Sequence, residues 1–408
     1  MKIKLEYVHP YNYGNLMMVT NFVNYFYKFC NKADVKFYIN VKDDDEFKRV
    51  RMSFDDDVLR KTICKDNIQN VKKGGKTAKV YNFYKKNDKK LKYYDSIVYL
   101  GGDCLSEYYG KKEFIKDGIK IFIASKKLPV FLVGQTIGPF TSYRKKLANI
   151  FLKHTLVSTR DERCYSYLKS DIKLKNMLKS RDLAFLDLPY KDDEKYIKNN
   201  LFNKYNLKDN EYVTLVLSGL YKSYTENKAN YVDKCFKIIQ LLLNNKKIGN
   251  KKIVLLPHVV NGEHSDINII NEIEKLLQKY MRERVILIKD VLMPHEARII
   301  LGYGMFTITG RMHAAVSTFQ MGKPAISLSY SVKYSGVIGQ GLNMNDLVIE
   351  SAGDRFWAQS EFENIIEEKI QYLLDNYDYI TKNIKSNVDQ CKELALKQIK
   401  EVARRLNC

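Results

Sequence analysis

Short, near-continuous apolar runs recur along the chain, and between them apolar positions return every three or four residues. The runs predict strands buried on both faces; the stretches between them predict helices. In the first half the runs are IKLEYV (3–8), VKFYI (35–39), SIVYL (96–100), PVFLV (129–133) and TLVST (155–159). In the second half they are YVTLVL (212–217), KIVLL (252–256), RVILI (284–288), MFTIT (305–309) and AISLS (325–329). Strand and helix alternating in this way predict parallel sheets covered by helices. Two such sets predict an α/β chain of two doubly wound, Rossmann-like domains facing each other across a cleft.

The first domain is expected over residues 1–187 and the second over 211–350, with the polar stretch 188–210 as the linker. Residues 351–408 form a tail. Within it Ile366, Ile370, Leu373, Tyr377, Ile384, Val388, Cys391, Ile399 and Val402 keep helical spacing and predict two helices. Residues 42–92 are charge-rich, with Lys72, Lys73, Gly74, Gly75 and Lys76 in a loop. At 408 residues the chain exceeds one compact core.

Charge and cysteine narrow the class. Net charge is +22, from 69 Lys and Arg against 47 Asp and Glu. Such an excess attracts nucleic acid, an anionic membrane or acidic substrates; solvated lysines of a lysine-rich proteome account for it equally well. Without a zinc finger, an RNA-recognition signature or an arginine-rich arm, nucleic acid is not an expected partner. No run approaches the ~20 apolar residues that span a bilayer. MKIKLEYV reads as a first strand rather than a signal peptide. Seven scattered cysteines without CxxC spacing predict reduced thiols and a cytoplasmic protein.

The stretch GRMHAAVSTFQMGKPAISLSYSVKYSGVIGQGL (310–342) carries the most chemistry. A buried-strand run, a glycine and then an amphipathic stretch read as a βα turn holding Arg311 and His313. In open α/β sheets such turns lie at the ligand-binding end of the strands. A guanidinium there can grip a carboxylate or phosphate with two parallel hydrogen bonds. An imidazole beside it can give up a proton near neutral pH. Lys333, in the loop after the next strand, is a phosphate ligand or a solvated lysine. His258, after KIVLL and Pro257, orients substrate, accepts a proton, or is a packed, backbone-bonded histidine. Arg160 closes TLVST; it either joins an anion site or pairs with Asp161 and Glu162, which read as helix-start carboxylates. Gly101 and Gly102 either let backbone approach a ligand or make a tight turn, and Asp103 is a base for an acceptor hydroxyl. Gln135, between Gly134 and Gly138, shapes its turn or contacts the acceptor. Asn15 binds sugar or closes its own turn. No His, Asp and Glu cluster has metal-ligand spacing, so no metal is expected.

These segments together resemble the polysaccharide pyruvyl transferase family. YNYGNLMMVTNF (11–22) matches its Gly-Asn loop, DSIVYLGGDCL (95–105) its glycine-rich turn, and VFLVGQTIGPF (130–140) its G-Q-x-I-G-P segment. STRDERCYSYL (158–168) matches its R-D-E helix start, LLPHV with Asp266 its histidine turn, and residues 310–342 its R-x-H and "ISY…K" units. Met17 stands where an acidic residue is common, and Asp103 where a further glycine is common. The resemblance implies a GT-B-like glycosyltransferase architecture, in which terminal helices can brace the first domain. It implies transfer of the pyruvyl group of phosphoenolpyruvate, as co-substrate without a cofactor, onto two hydroxyls of a sugar. His313 would then be the general acid, with Arg311, Arg160, Lys333 and His258 around the donor. Asn15, Gly101, Gly102, Asp103 and Gln135 would lie on the acceptor side, in the first domain. Galactose and a 4,6-ketal are the expected product chemistry, in bacterial surface polysaccharide synthesis. The acceptor is expected on a lipid-diphosphate carrier, with Lys72, Lys73, Lys76, Lys85 and Lys86 docking on an anionic inner leaflet. Two other readings are a glycosyltransferase using a nucleotide sugar and a non-catalytic basic scaffold at the membrane.

Overall fold

A computed structural model describes residues 1–30, 34–66 and 91–408. Lys72, Lys73, Lys76, Lys85 and Lys86 lie outside the described residues. The chain divides into two compact units. The first comprises Met1–Pro10, Asn15–Pro189 and Cys391–Cys408; the second comprises Tyr11–Gly14 and Tyr190–Gln390.

The first unit holds a parallel sheet of β1 (Lys2–Glu6), β2 (Lys36–Ile39), β3 (Ile63–Lys65), β4 (Ser96–Gly102), β5 (Val130–Gln135), β6 (Leu156–Thr159) and β7 (Met177–Lys179). Their order is β3-β2-β1-β4-β5-β6-β7. β5 and β6 are buried throughout, which is why they read as unbroken apolar runs. Helices Lys111–Ser125 and Arg144–Leu152 cover one face, where Phe114, Phe140 and Phe151 pack with Ile121, Leu132 and Leu152.

The second unit holds β8 (Tyr212–Val216), β9 (Lys252–Leu255), β10 (Val285–Leu287), β11 (Thr307–Thr309), β12 (Ala325–Ser329) and β13 (Val348–Glu350), in the order β10-β9-β8-β11-β12-β13. All its pairings are parallel. Every strand expected from the sequence is present. Three more, β3, β7 and β13, are short edge strands with partly exposed residues, and so leave no apolar run to read.

Helices Phe362–Asp375 and Tyr377–Arg405 form the tail. From Cys391 onward the last helix belongs to the first unit. There the Gln398 side chain accepts from Gly134 N and donates to Arg181 O, both at 2.8 Å. The first unit's central segment ends at Pro189, and Glu194–Tyr205, read from sequence as part of the linker, is a helix of the second. The cysteines differ from expectation. Cys30 and Cys408 form a disulfide with their Cα atoms 4.5 Å apart, closing a separation of 378 residues that no local spacing reveals. The other five are free thiols. No described helix is long and apolar enough to cross a membrane.

In each sheet the strand order reverses once, between β1 and β4 and between β8 and β11. Loops leaving the carboxyl ends of such a pair diverge and open a crevice between them, which is where ligands bind in open α/β sheets.

Candidate active site at the carboxyl edge of the second sheet

Arg311 stands at the end of β11, at the reversal beside β8. Its turn is pinned from several sides. The Thr309 hydroxyl accepts from Arg311 N at 2.8 Å, and the hydroxyls of Tyr224 and Tyr334 both donate to Gly310 O at 2.6 Å. Arg311 itself is extended, and the helix Met312–Gln320 begins immediately after it. The guanidinium is 9% exposed and committed on one side. Its Nε and Nη2 donate to Asp266 Oδ1 at 3.0 and 2.7 Å, and Nη2 donates to His264 O at 2.9 Å. Nη1 has no acceptor among the described residues. The two-pronged grip expected from sequence is therefore corrected, because protein groups occupy one edge of the fork and Nη1 is what remains for a ligand. Burial opposes the charge on Arg311, but Asp266 outweighs it and keeps the group cationic.

His313 lies half-buried in the first turn of that helix. The first turn of the helix Tyr13–Phe29 comes up against it. Tyr13 N donates to His258 O at 3.0 Å, Val260 N donates to Tyr11 O at 3.0 Å, and Asn12 bridges Val259. These bonds tie residues 11–14 into the second unit. They bring Gly14 so near His313 that a Cβ at Gly14 would lie 2.2 Å from the imidazole. The Tyr13 ring packs 5.4 Å from that of His258.

His258, at the carboxyl end of β9, is buried, and its Nε2 has no hydrogen-bond partner among the described residues. Burial first, then the positive fields of His313, Arg311 and Arg298, push its pKa well below the usual imidazole range. At neutral pH it is an uncharged base. Lys333 is buried in the loop after β12, and its Nζ donates to the Tyr330 hydroxyl at 2.5 Å. Tyr330 in turn contributes to the field on Arg311. Arg311, His313, His258 and Lys333 thus all stand at the carboxyl end of one sheet.

The residues expected in the first unit are placed differently. Arg160 is 1% exposed; its Nη1 donates to Asp182 Oδ2 at 2.8 Å and its Nε to Thr136 Oγ1 at 2.9 Å. Arg160 is thus one half of an internal ion pair, with Asp182 as its partner where the sequence offered Asp161 and Glu162. Asp161 caps the helix Glu162–Ser170 by accepting from Cys164 N, as its position suggested. Asn15 is buried, donates to Tyr7 O and accepts from His9 N, so it closes its loop. Gln135 is buried beneath the sheet edge and donates to Tyr99 O at 3.1 Å. Gly101 and Gly102 end β4 with φ of 57° and 91°, and a Cβ at Gly101 would meet Met18 Sδ at 2.1 Å. Asp103 follows them, partly exposed, and contributes to the field on Arg160.

Sequence reasoning did not assign Asp266, Gly14, Tyr224, Tyr330 or Tyr334 a role. Asp266 had one usable signal, a carboxylate just after a Ser cap in the matched histidine turn. The others reach the Gly310 carbonyl, the field of Arg311 or the His313 ring only through the fold.

Among the described residues, no group of three His, Cys, Asp or Glu is placed to hold a metal ion. A model of polysaccharide pyruvyl transferases matches residues 12–332. The amylovoran biosynthesis protein AmsJ of Erwinia amylovora is 24% identical over 359 residues, covering 85% of this chain and 82% of AmsJ. In fold, the chain is similar to the UDP-GlcNAc 2-epimerase of Neisseria meningitidis, with a TM-score of 0.61, 13% identity and 97% of each chain covered. A glycosyltransferase of Rickettsia africae is similar at a TM-score of 0.59 and 13% identity, covering 100% of this chain and 98% of its own. These structural likenesses show a shared GT-B-like α/β fold. With its match running through both sheets and across the R-x-H turn, the chain belongs to the polysaccharide pyruvyl transferase family.

Proposed function

We propose that the chain transfers the pyruvyl group of phosphoenolpyruvate to two hydroxyls of one sugar, as a cyclic ketal, with release of phosphate. The observation that carries this reading is the meeting, on one sheet edge, of the open Nη1 of Arg311, the imidazole of His313 and the neutral, buried His258. Phosphoenolpyruvate has two anionic groups on one carbon, and Arg311 with Lys333 supplies two cations for them. His313 protonates the methylene carbon, which makes C2 electrophilic. One hydroxyl adds to C2, the C2–O bond to phosphate breaks, and the second hydroxyl closes the ring. Of the two hydroxyl protons, one replaces the proton spent on the methyl group and the other leaves on phosphate. His258, neutral and buried, is suited to take a hydroxyl proton on the way. Arg160 has no part in this scheme.

Galactose with its 4- and 6-hydroxyls is the acceptor we favour, because a six-membered ketal closes there without strain. We place that sugar on a lipid-diphosphate carrier, reached by a basic protein of net charge +22 at an anionic surface. The test is phosphate release from phosphoenolpyruvate with a panel of free and lipid-linked sugars, with products weighed for pyruvyl addition. Absence of release with every sugar overturns the reading. Transfer from a nucleotide sugar in a parallel series would establish the glycosyltransferase alternative instead.

A further inference from the structure

We infer that Asp266 is the positioning residue of this site, the group that aims Arg311 at the donor and joins three loops around it. The donor's identity rests on the pyruvyl transfer reading; the geometry does not. Asp266 is fully buried. Its Oδ1 accepts from Arg311 Nε and Nη2 and from Gly219 N at 2.7 Å. Its Oδ2 accepts from His258 N and Val259 N, both at 2.9 Å. The donors come from the carboxyl ends of β8, β9 and β11, so one carboxylate spans the reversal in strand order.

An ordinary helix-start role does not explain this pattern. Ser265 is the cap of the helix Asp266–Leu276 and its hydroxyl accepts from Ile267 N, whereas the Asp266 side chain makes no bond within its own helix. Every acceptor position is spent on neighbouring loops. Gly219 fits the same purpose, since a Cβ there would lie 2.4 Å from the carbonyl oxygens of His264 and Ser265. Only glycine lets the end of β8 come close enough to reach the carboxylate. The result is a guanidinium fixed along one edge, with Nη1 presented in a single direction. Holding a binding group in place beforehand is what allows it to orient a small dianion. Asparagine could not substitute, because its NH2 would face donors where the carboxylate oxygen now accepts.

The test is a double-mutant cycle on phosphoenolpyruvate binding, measured by calorimetry on wild type, Asp266→Asn, Arg311→Ala and the double variant. Each single change is expected to raise Kd about tenfold or more, and Asp266→Asn is expected to add less than twofold once Arg311 is gone. Equal factors for Asp266→Asn with and without Arg311, or an unchanged Kd, overturn the inference. Should Asp266→Asn fail to fold, Asp266→Glu, which keeps the charge but moves it by one methylene, takes its place in the cycle, and the same outcomes support or overturn the inference. If wild type binds phosphoenolpyruvate but releases no phosphate with any sugar, the transfer reading fails and the cycle still decides Asp266. If it binds neither phosphoenolpyruvate nor inorganic phosphate, both fall.

Discussion

Gly14→Ala adds one methyl group at the point where the first turn of the helix Tyr13–Phe29 meets the proposed acid. The new Cβ would lie 2.2 Å from Cγ and Nδ1 of His313 and 2.5 Å from its Cβ. Non-bonded carbons rest about 3.5 Å or more apart, so the two segments must separate by more than ~1 Å. The clash falls at the root of the side chain, and turning the ring cannot relieve it. Either the first turn of Met312–Gln320 moves or that of Tyr13–Phe29 does. A misplacement of about 1 Å at a reacting group costs on the order of 10²-fold in rate, and overpacking costs about 1–3 kcal/mol of stability.

The expected outcome is a folded enzyme whose kcat for phosphate release falls about a hundredfold. The KM for phosphoenolpyruvate should change much less, because Arg311 is anchored by Asp266 and not by Gly14. His313→Ala is the reference, and loss of a positioned acid lowers kcat by ~10²–10⁴. In a His313→Ala background the contacts with Cγ and Nδ1 are gone but the one with Cβ at 2.5 Å remains, so the stability cost persists while kcat, already without the acid, should fall little further. A Gly14→Ala enzyme with circular dichroism like wild type and kcat within about twofold of it would refute the idea that this glycine seats the acid. His313→Ala with near wild-type turnover would remove the acid itself.

Arg160→Gln should lower stability by about 3–5 kcal/mol, because buried Asp182 loses its guanidinium partner; the KM for phosphoenolpyruvate, measured where the variant is folded, should stay near wild type, and a large rise would return Arg160 to the donor site. His258 has its pKa depressed in the folded chain, so below about pH 6.5 the unfolded chain binds a proton that the native one does not. Its contribution is complete above that pH and is lost on acidification by up to about 1.4 kcal/mol per pH unit; urea midpoints at pH 7 and pH 5 should converge in His258→Gln, and an unchanged gap would refute the assignment. Flotation with anionic vesicles should capture the protein at low salt and release it at high salt. No capture at low salt, together with equal rates on free and lipid-linked acceptors, would rule out the membrane proposal.

What the sequence revealed follows from what each residue's surroundings depend on. β5, buried on both faces, wrote itself as PVFLV; β3, β7 and β13, each exposed on an edge, did not. The turn of Arg311 and His313 was legible because a strand, a glycine and a helix meet there within a few residues. The partner of Arg311 was not, because Asp266 is 45 residues away and reaches it only once β9 and β11 lie either side of β8. Gly14 was visible as a loop glycine, but its reason for being glycine is a side chain near the other end of the chain. The disulfide of Cys30 and Cys408 was hidden in the same way.

Arg160 and Arg311 show why a motif alone does not fix a role. Both end a strand, both precede a helix, and both pair with a buried carboxylate. Arg160 follows β6, which lies two strands out from the reversal in the first sheet, and is 1% exposed. Its Nη1 and Nε are held by Asp182 and Thr136. β11 is at the reversal in the second sheet, where the loop after β9 reaches across to Arg311 through His264 and Asp266 and leaves Nη1 without an acceptor among the described residues. The same residue in the same local pattern becomes an internal ion pair in one sheet and a candidate ligand in the other. Strand order decides between them, and strand order is set by long-range pairing that local pattern does not encode.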